Sequence, residues 1–222
     1  MPDVNLIDIR QEIFSDNNNC AADIRDYLKF KNTKMINIMG SPGCGKTTFL
    51  LRTIQETKAK RKIAVIEADL DSMIDSDKIV GAGAKAVQIN TGNGCHLDAV
   101  VVQRALESFP VENFDVVFVE NIGNLVCPAE FDIGENLKVM ILSVPEGDDK
   151  ILKYPLMFSV ADVLIISKID YLPDDGFSVE NLRARAAVLN PSLKLFELSA
   201  KTGAGSAAWI SYLENFLVAD HK

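Results

Sequence analysis

The stretch Gly40-Ser41-Pro42-Gly43-Cys44-Gly45-Lys46-Thr47, with Thr48 directly behind it, constrains this chain more than any other. It fits the spacing GxxxxGK[ST], and its neighbours give that spacing its meaning. The apolar run 35–39 predicts a strand before it; residues 47–54, with Phe49, Leu50 and Leu51 as an apolar face, predict a helix after it. Three glycines let the backbone curl until successive N–H groups point inward, and the helix adds its positive N-terminal end. In such a loop the segment Gly43, Cys44, Gly45, Lys46, Thr47 and Thr48 binds phosphates. Lys46 neutralises the β- and γ-phosphates, and the Thr47 hydroxyl completes the coordination of a Mg²⁺. The motif points to a nucleoside triphosphate site.

Around this loop the chain alternates. Further strands are predicted at 62–66 (running into Glu67, Ala68 and Asp69), 86–89, 116–119, 137–144, 163–166 and 194–196. Helices are predicted at about 96–108, with Leu97, Val100, Val101 and Leu106 inside, and at 207–218. Such alternation implies right-handed crossovers: an α/β, P-loop NTPase fold with a mostly parallel central sheet flanked by helices on both faces. Residues 1–33 read as an N-terminal helical arm and 34–222 as the nucleotide domain. Within the arm, Leu6, Ile9 and Ile13 and then Ala22, Ile24 and Leu28 are near helical spacing, and the run Asp16-Asn17-Asn18-Asn19 is expected to break them into two helices.

Composition excludes several classes. A net charge of −8 argues against a nucleic-acid partner, because a phosphate backbone needs a basic footprint. No run of 18 apolar residues is present, so no membrane span is expected, and the polar N-terminus does not read as a secretory signal; the expected location is cytoplasmic. Cys20, Cys44, Cys95 and Cys127 lack the spacing of a disulfide framework and read as thiols or metal ligands.

Ser167-Lys168-Ile169-Asp170 closes a buried strand, at the sheet edge where open α/β folds bind ligands. A carboxylate there, Asp170, accepts from guanine N1–H and the exocyclic amine, whereas adenine would oppose it with an acceptor. The tetrad resembles the [NT]KxD base-reading element of GTPases, with Ser167 in place of the usual Asn, which implies some loss of affinity. Ser199, Ala200 and Lys201 resemble the SAK element whose backbone touches the guanine oxygen. GTP is therefore favoured over ATP. After the fourth strand, Glu120 stands where an acid holds Mg²⁺ through water, and Gly123 is placed to offer its N–H to a γ-phosphate; this ExxG pattern resembles the metal-chaperone branch of P-loop GTPases, in the signal-recognition-particle and septum-site class. Asp69 is the first candidate for direct or water-mediated Mg²⁺ contact; Asp71 and Asp75 follow it in a polar stretch placed like a switch.

A second site is written in Cys95, His96 and Cys127. Thiolate and imidazole select Ni²⁺ or Zn²⁺ over Mg²⁺. The first two ligands are expected at a helix start, where a thiol's pKa is lowered. Three ligands are one short of a tetrahedron, so the fourth is water, a donor arriving with the metal, or a thiolate from a second chain. Cys127 stands four residues past Gly123, so nucleotide state should move it.

GSPGCGKT, NTGNGCHLDA, ENIGNLVCPAEFDIGE, LSVPEGDDKILKYP and ISKID, in this order over about residues 34–205, resemble the hydrogenase nickel-incorporation GTPases (HypB). The resemblance implies GTP hydrolysis supporting nickel insertion into the large subunit of [NiFe] hydrogenase. It also implies GTP-promoted homodimers, a nickel or zinc site at Cys95, His96 and Cys127, and a nickel-carrying zinc-protein partner. Some members have an N-terminal CxxCGC motif and a histidine-rich stretch, neither of which appears here, and Gly94 replaces their glutamate before the Cys-His pair. Alternatives remain: a GTPase loading urease or a cobalt corrin, an ATP-dependent kinase or ligase with structural cysteines, or a regulatory switch whose metal only holds a dimer.

Overall fold

The computed structural model describes residues 9–69, 73–92, 94–172 and 176–219, apart from the side chains of 9–13, 69 and 73–75. Leu6, Asp71 and His221 lie outside these. Seven strands, β1 (Lys34–Gly40), β2 (Ile63–Asp69), β3 (Lys85–Asn90), β4 (Val116–Glu120), β5 (Leu137–Ser143), β6 (Val163–Ser167) and β7 (Lys194–Leu198), form one sheet in the order β3-β2-β4-β1-β5-β6-β7. Every pairing is parallel, so all seven strands end at one edge, where ligands of such sheets bind.

The nine helices of the described residues are α1 (Ile9–Lys31), α2 (Lys46–Thr57), α3 (Met73–Ala82), α4 (Ala99–Glu107), α5 (Cys127–Glu130), α6 (Lys150–Lys153), α7 (Pro155–Val160), α8 (Val179–Leu189) and α9 (Ser206–Val218). Alternate strand residues point to opposite faces, and the core divides accordingly. Ile36, Ile38, Val116, Phe118, Val139 and Ile165 face Phe49, Leu50 and Ile54 of α2 and Trp209 and Leu213 of α9. On the reverse face, Ile66, Val117 and Val119 pack under Ile24 and Leu28 of α1 and Val102 and Leu106 of α4. Met140, Leu142, Leu164 and Ile166 pack under Met157, Phe158 and Leu182.

Three expectations need correcting. The Asp-Asn run does not divide the arm: Ile9–Lys31 is one continuous helix. Asp16, Asn18 and Asn19 point to solvent, while Asn17 turns inward and bonds to neighbouring loops. Packing of Ala21, Ile24 and Leu28 outweighs the weak helix propensity of the run. The helix expected from residue 96 begins at Ala99, because the Asp98 side chain caps it by accepting from the Val101 amide. That register leaves Val100 41% exposed and buries Val102 instead. Finally, the polar stretch after β2 contains α3, which the charge pattern did not signal. Several strands also run one to three residues past their expected ends, because polar residues such as Glu120, Ser167 and Asp69 are still paired in the sheet.

Candidate functional site

Gly43 and Gly45 adopt left-handed backbone (φ 74° and 102°), so the loop after β1 curls back before α2 begins at Lys46. Lys46 is buried, its Nζ 3.3–3.4 Å from the Ser41 and Gly40 carbonyls. Beyond it opens a cleft lined by Pro42, Gly43, Lys46, Thr47, Glu67, Glu120 and Gly123. The Thr47 hydroxyl donates to Glu120 Oε1 at 2.9 Å. A hydroxyl and two carboxylates facing a lysine form a donor set suited to a hard divalent cation beside phosphate oxygens. Glu67 is the functional candidate that sequence reasoning passed over: it is buried, and its Oε2 accepts from the Ser76 hydroxyl of α3 at 2.6 Å. The signal was present, as an ionisable residue inside an apolar strand. Asp69 ends β2 paired with Asn90, and its side chain is not described.

Gly123 is pressed against this loop. A Cβ there would lie 2.8 Å from Pro42 N and 2.9 Å from Pro42 Cα, so a larger residue would push the segment off the phosphate loop. The Asn124 amide donates to the Gly40 carbonyl at 3.1 Å and locks the contact.

On the other side of the loop lies a cleft lined by Cys44, Gly45, Thr48, Ser167, Lys168, Asp170, Ser199, Ala200 and Lys201. The shortness of Ser167 does not prevent bracing: its hydroxyl donates to the Cys44 carbonyl at 2.7 Å. Lys168 adopts φ 59°, and its Nζ donates to the Gly43 carbonyl at 2.7 Å. The Ser199 hydroxyl beside Asp170, with Lys201 and Lys168 nearby, holds that carboxyl below its usual range, so it stays an acceptor.

Cys95, His96 and Cys127 converge, with one ligand atom from each within 4.8 Å of the others. Cys95 Sγ is 3.3 Å from His96 Nδ1. Burial lowers the His96 pKa, which favours the neutral imidazole that binds metals. Cys95 and His96 lie ahead of the Asp98 cap, not within the first turn of a helix as expected. The Cys127 thiol is raised, first by its hydrogen bond with Cys95 and then by burial. Two thiols and an imidazole fit a soft divalent ion and leave at least one position open.

The two sites share supports. Asn124 Nδ2 donates to the Cys95 carbonyl at 3.2 Å. Beneath runs a buried relay: Asn121 Oδ1 accepts from the Leu97 amide, Asn121 Nδ2 donates to Asn37 Oδ1, and Asn37 Nδ2 donates to Glu135 Oε1. Asn121 therefore joins a phosphate-cleft residue, Glu120, to the residue after His96.

Residues 34–197 match the family model described as CobW/HypB/UreG, nucleotide-binding domain. The hydrogenase maturation factor HypB of Rhizobium leguminosarum bv. viciae is 45% identical over 209 residues, covering 94% of this chain and 70% of that protein. The crystal structure of the hydrogenase maturation factor HypB from Archaeoglobus fulgidus superposes with a TM-score of 0.86 at 39% identity, covering 91% of this chain and 99% of that one. That of HypB from Helicobacter pylori in complex with nickel gives 0.86 at 35% identity, over 91% and 95%.

Proposed function

The chain belongs to the CobW/HypB/UreG family of nucleotide-binding domains, among the hydrogenase maturation factors of the HypB type, and on that premise we propose that it is a GTP-hydrolysing metallochaperone supporting nickel insertion into the large subunit of [NiFe] hydrogenase. One observation carries the reading: a single segment, from Glu120 through Gly123 and Asn124 to Cys127, lines the phosphate cleft at one end and supplies a metal-ligating thiol at the other. A change at the γ-phosphate therefore has a short covalent route to the metal.

In this account Lys46 and the amides of 43–48 hold the phosphates, and Gly123 offers its N–H to the γ-phosphate. Lys168, Asp170, Ser199, Ala200 and Lys201 read guanine. Thr47, Asp69 and Glu120 serve the Mg²⁺, which when bound withdraws charge from the phosphate oxygens. Glu67 joins them as a buried acceptor in the cleft. Among the described residues no arginine lines that cleft, so unassisted turnover is expected to be slow.

Cys95, His96 and Cys127 hold Ni²⁺ or Zn²⁺ as cargo, with the open position receiving it from a nickel-carrying zinc-protein partner. The exposed Val126, Leu152 and Leu156, on or beside the contacting α5–α7 region, support a homodimer surface next to the metal loop. Lys153 pairs with Asp149 at 2.6 Å and Lys150 lies over the Tyr154 ring. The −8 charge supports the exclusion of nucleic acid, and among the described residues no helix is long and apolar enough to cross a membrane. The proposed site of action is the cytoplasm.

The test is phosphate release from GTP together with activation of apo-hydrogenase large subunit by nickel. The parent chain should do both; Lys46→Ala should do neither, and Cys127→Ala should hydrolyse GTP without supporting activation. Preference for ATP, or full activation by Cys127→Ala, contradicts the reading.

A further inference from the structure

We infer that α1 is a built-in part of the metal site, with Asn17 as the positioning residue that fixes the spacing of the two loops bearing its ligands. The inference rests on the metal-site reading above and deepens it. An asparagine in a helix interior usually faces water, and Asn17 is 4% exposed. Its side chain is used at both ends. Nδ2 donates to the Asp132 carbonyl at 2.8 Å, five residues beyond Cys127. Oδ1 accepts from the Ala99 amide at 2.9 Å, three residues beyond His96.

The second bond has a clear physical source. The first amides of a helix have no intrahelical acceptor. Asp98 takes the Val101 amide of α4, and Asn17 takes that of Ala99 from a different helix. One amide group therefore ties the Cys95–His96 loop to the Cys127 loop.

Two further contacts reach the same place. Phe14, one turn before Asn17, packs on Phe131 with ring centroids 5.0 Å apart. Phe131 in turn stacks on the His96 imidazole at 3.9 Å. Arg25, two turns after Asn17, forms a two-pronged bond to the Asp132 carboxylate at 2.8 Å for each contact. Three side chains of α1 thus hold one loop, and the middle one holds both. The helix fixes the distance across which the two thiols and the imidazole meet, and it backs the imidazole ring.

Groups that orient metal ligands typically change affinity 10–100-fold when removed. The experiment is nickel titration of the full chain with parallel absorption spectra, for the parent, Asn17→Ala, Phe14→Ala and Cys127→Ala. Affinity for a GTP analogue, thermal stability and amide exchange at Ala99 are read on the same samples. Asn17→Ala should bind nickel about tenfold more weakly, with an altered thiolate-to-nickel absorption band. It should also expose the Ala99 amide to exchange and lower Tm by a few degrees, because two buried partners are left unsatisfied, while analogue affinity stays close to the parent. Phe14→Ala should shift the same band by a smaller amount. Parent-like nickel affinity and spectrum in Asn17→Ala would overturn the inference, as would loss of nickel and nucleotide together in step with a falling Tm. If Cys127→Ala binds nickel as the parent does, the metal-site reading itself fails and the inference falls with it. Dependence on Cys127 with indifference to Asn17 overturns only the role of α1.

Discussion

At the scale of single residues the nucleotide cleft is held by few bonds, and each makes a prediction. Ser167→Ala removes the hydroxyl that braces the Cys44 carbonyl, a bond of about 0.5–1.5 kcal/mol. Affinity for a GTP analogue measured by calorimetry should fall about 2–10-fold, with guanine selectivity intact. Asp170→Asn exchanges a charged acceptor for an amide, at about 1.5–3 kcal/mol per charged hydrogen bond. Guanine affinity should fall more than tenfold, and binding of the xanthine nucleotide should improve in the same titration. Gly123→Ala places a methyl against Pro42 and should leave analogue binding measurable while slowing phosphate release. The residues proposed to hold phosphate and read the base could be picked out because that chemistry needs fixed spacings in sequence, and the structure brings them to two clefts beside one loop. Glu67 and Asn17 belong to no such spacing: Glu67 gave only the general signal of an acid running on from an apolar strand, and Asn17 gave none, since it stands out only through the two loops it reaches.

At the scale of elements, packing decided what local propensity left open. The sheet was readable from apolar runs, because strands covered on both faces are nearly continuous in hydrophobicity. Boundaries were less so: α4 begins where Asp98 caps it, and α1 survives its asparagine run because its apolar stripe packs on α4. Trp209 of α9 shows the energetics of such packing. It is buried against Phe49 of α2, and its Nε1 donates to Thr53 Oγ1 at 3.0 Å. Trp209→Ala should cost about 3–5 kcal/mol in urea unfolding. The link between α1 and Asp132 carries a pH signature. Burial alone would raise the Asp132 carboxyl, but the Arg25 guanidinium and the Gly134 amide hold it well below the usual range. A depressed folded pKa means that the stabilisation is present above the unfolded value, about 3.9, and is lost as pH falls below it. The stability difference between the parent and Asp132→Asn should therefore shrink from pH 5 to pH 2 in urea titrations, where groups remote from Asp132 cancel; both chains carry Glu135→Gln, because the Asp132 charge also raises the Glu135 carboxyl.

At the scale of the whole molecule, two sites of different chemistry are mounted on one segment. A hard site of hydroxyl and carboxylates lies at the mouth of the sheet, and a soft site of thiols and imidazole lies at the far end of the loop that leaves β4. The buried relay through Asn121, Asn37 and Glu135 runs beneath both. The proposed function requires metal affinity to depend on nucleotide state, and reciprocity then requires nucleotide affinity to depend on metal to the same extent. The most direct test is nickel affinity of the full chain with GDP and with a slowly hydrolysed GTP analogue, with Cys127→Ala measured alongside. The account predicts that the two nucleotides give affinities differing about fivefold or more, and that the difference disappears in Cys127→Ala. Equal affinities in the parent chain would contradict it, leaving two sites that share a loop and nothing else.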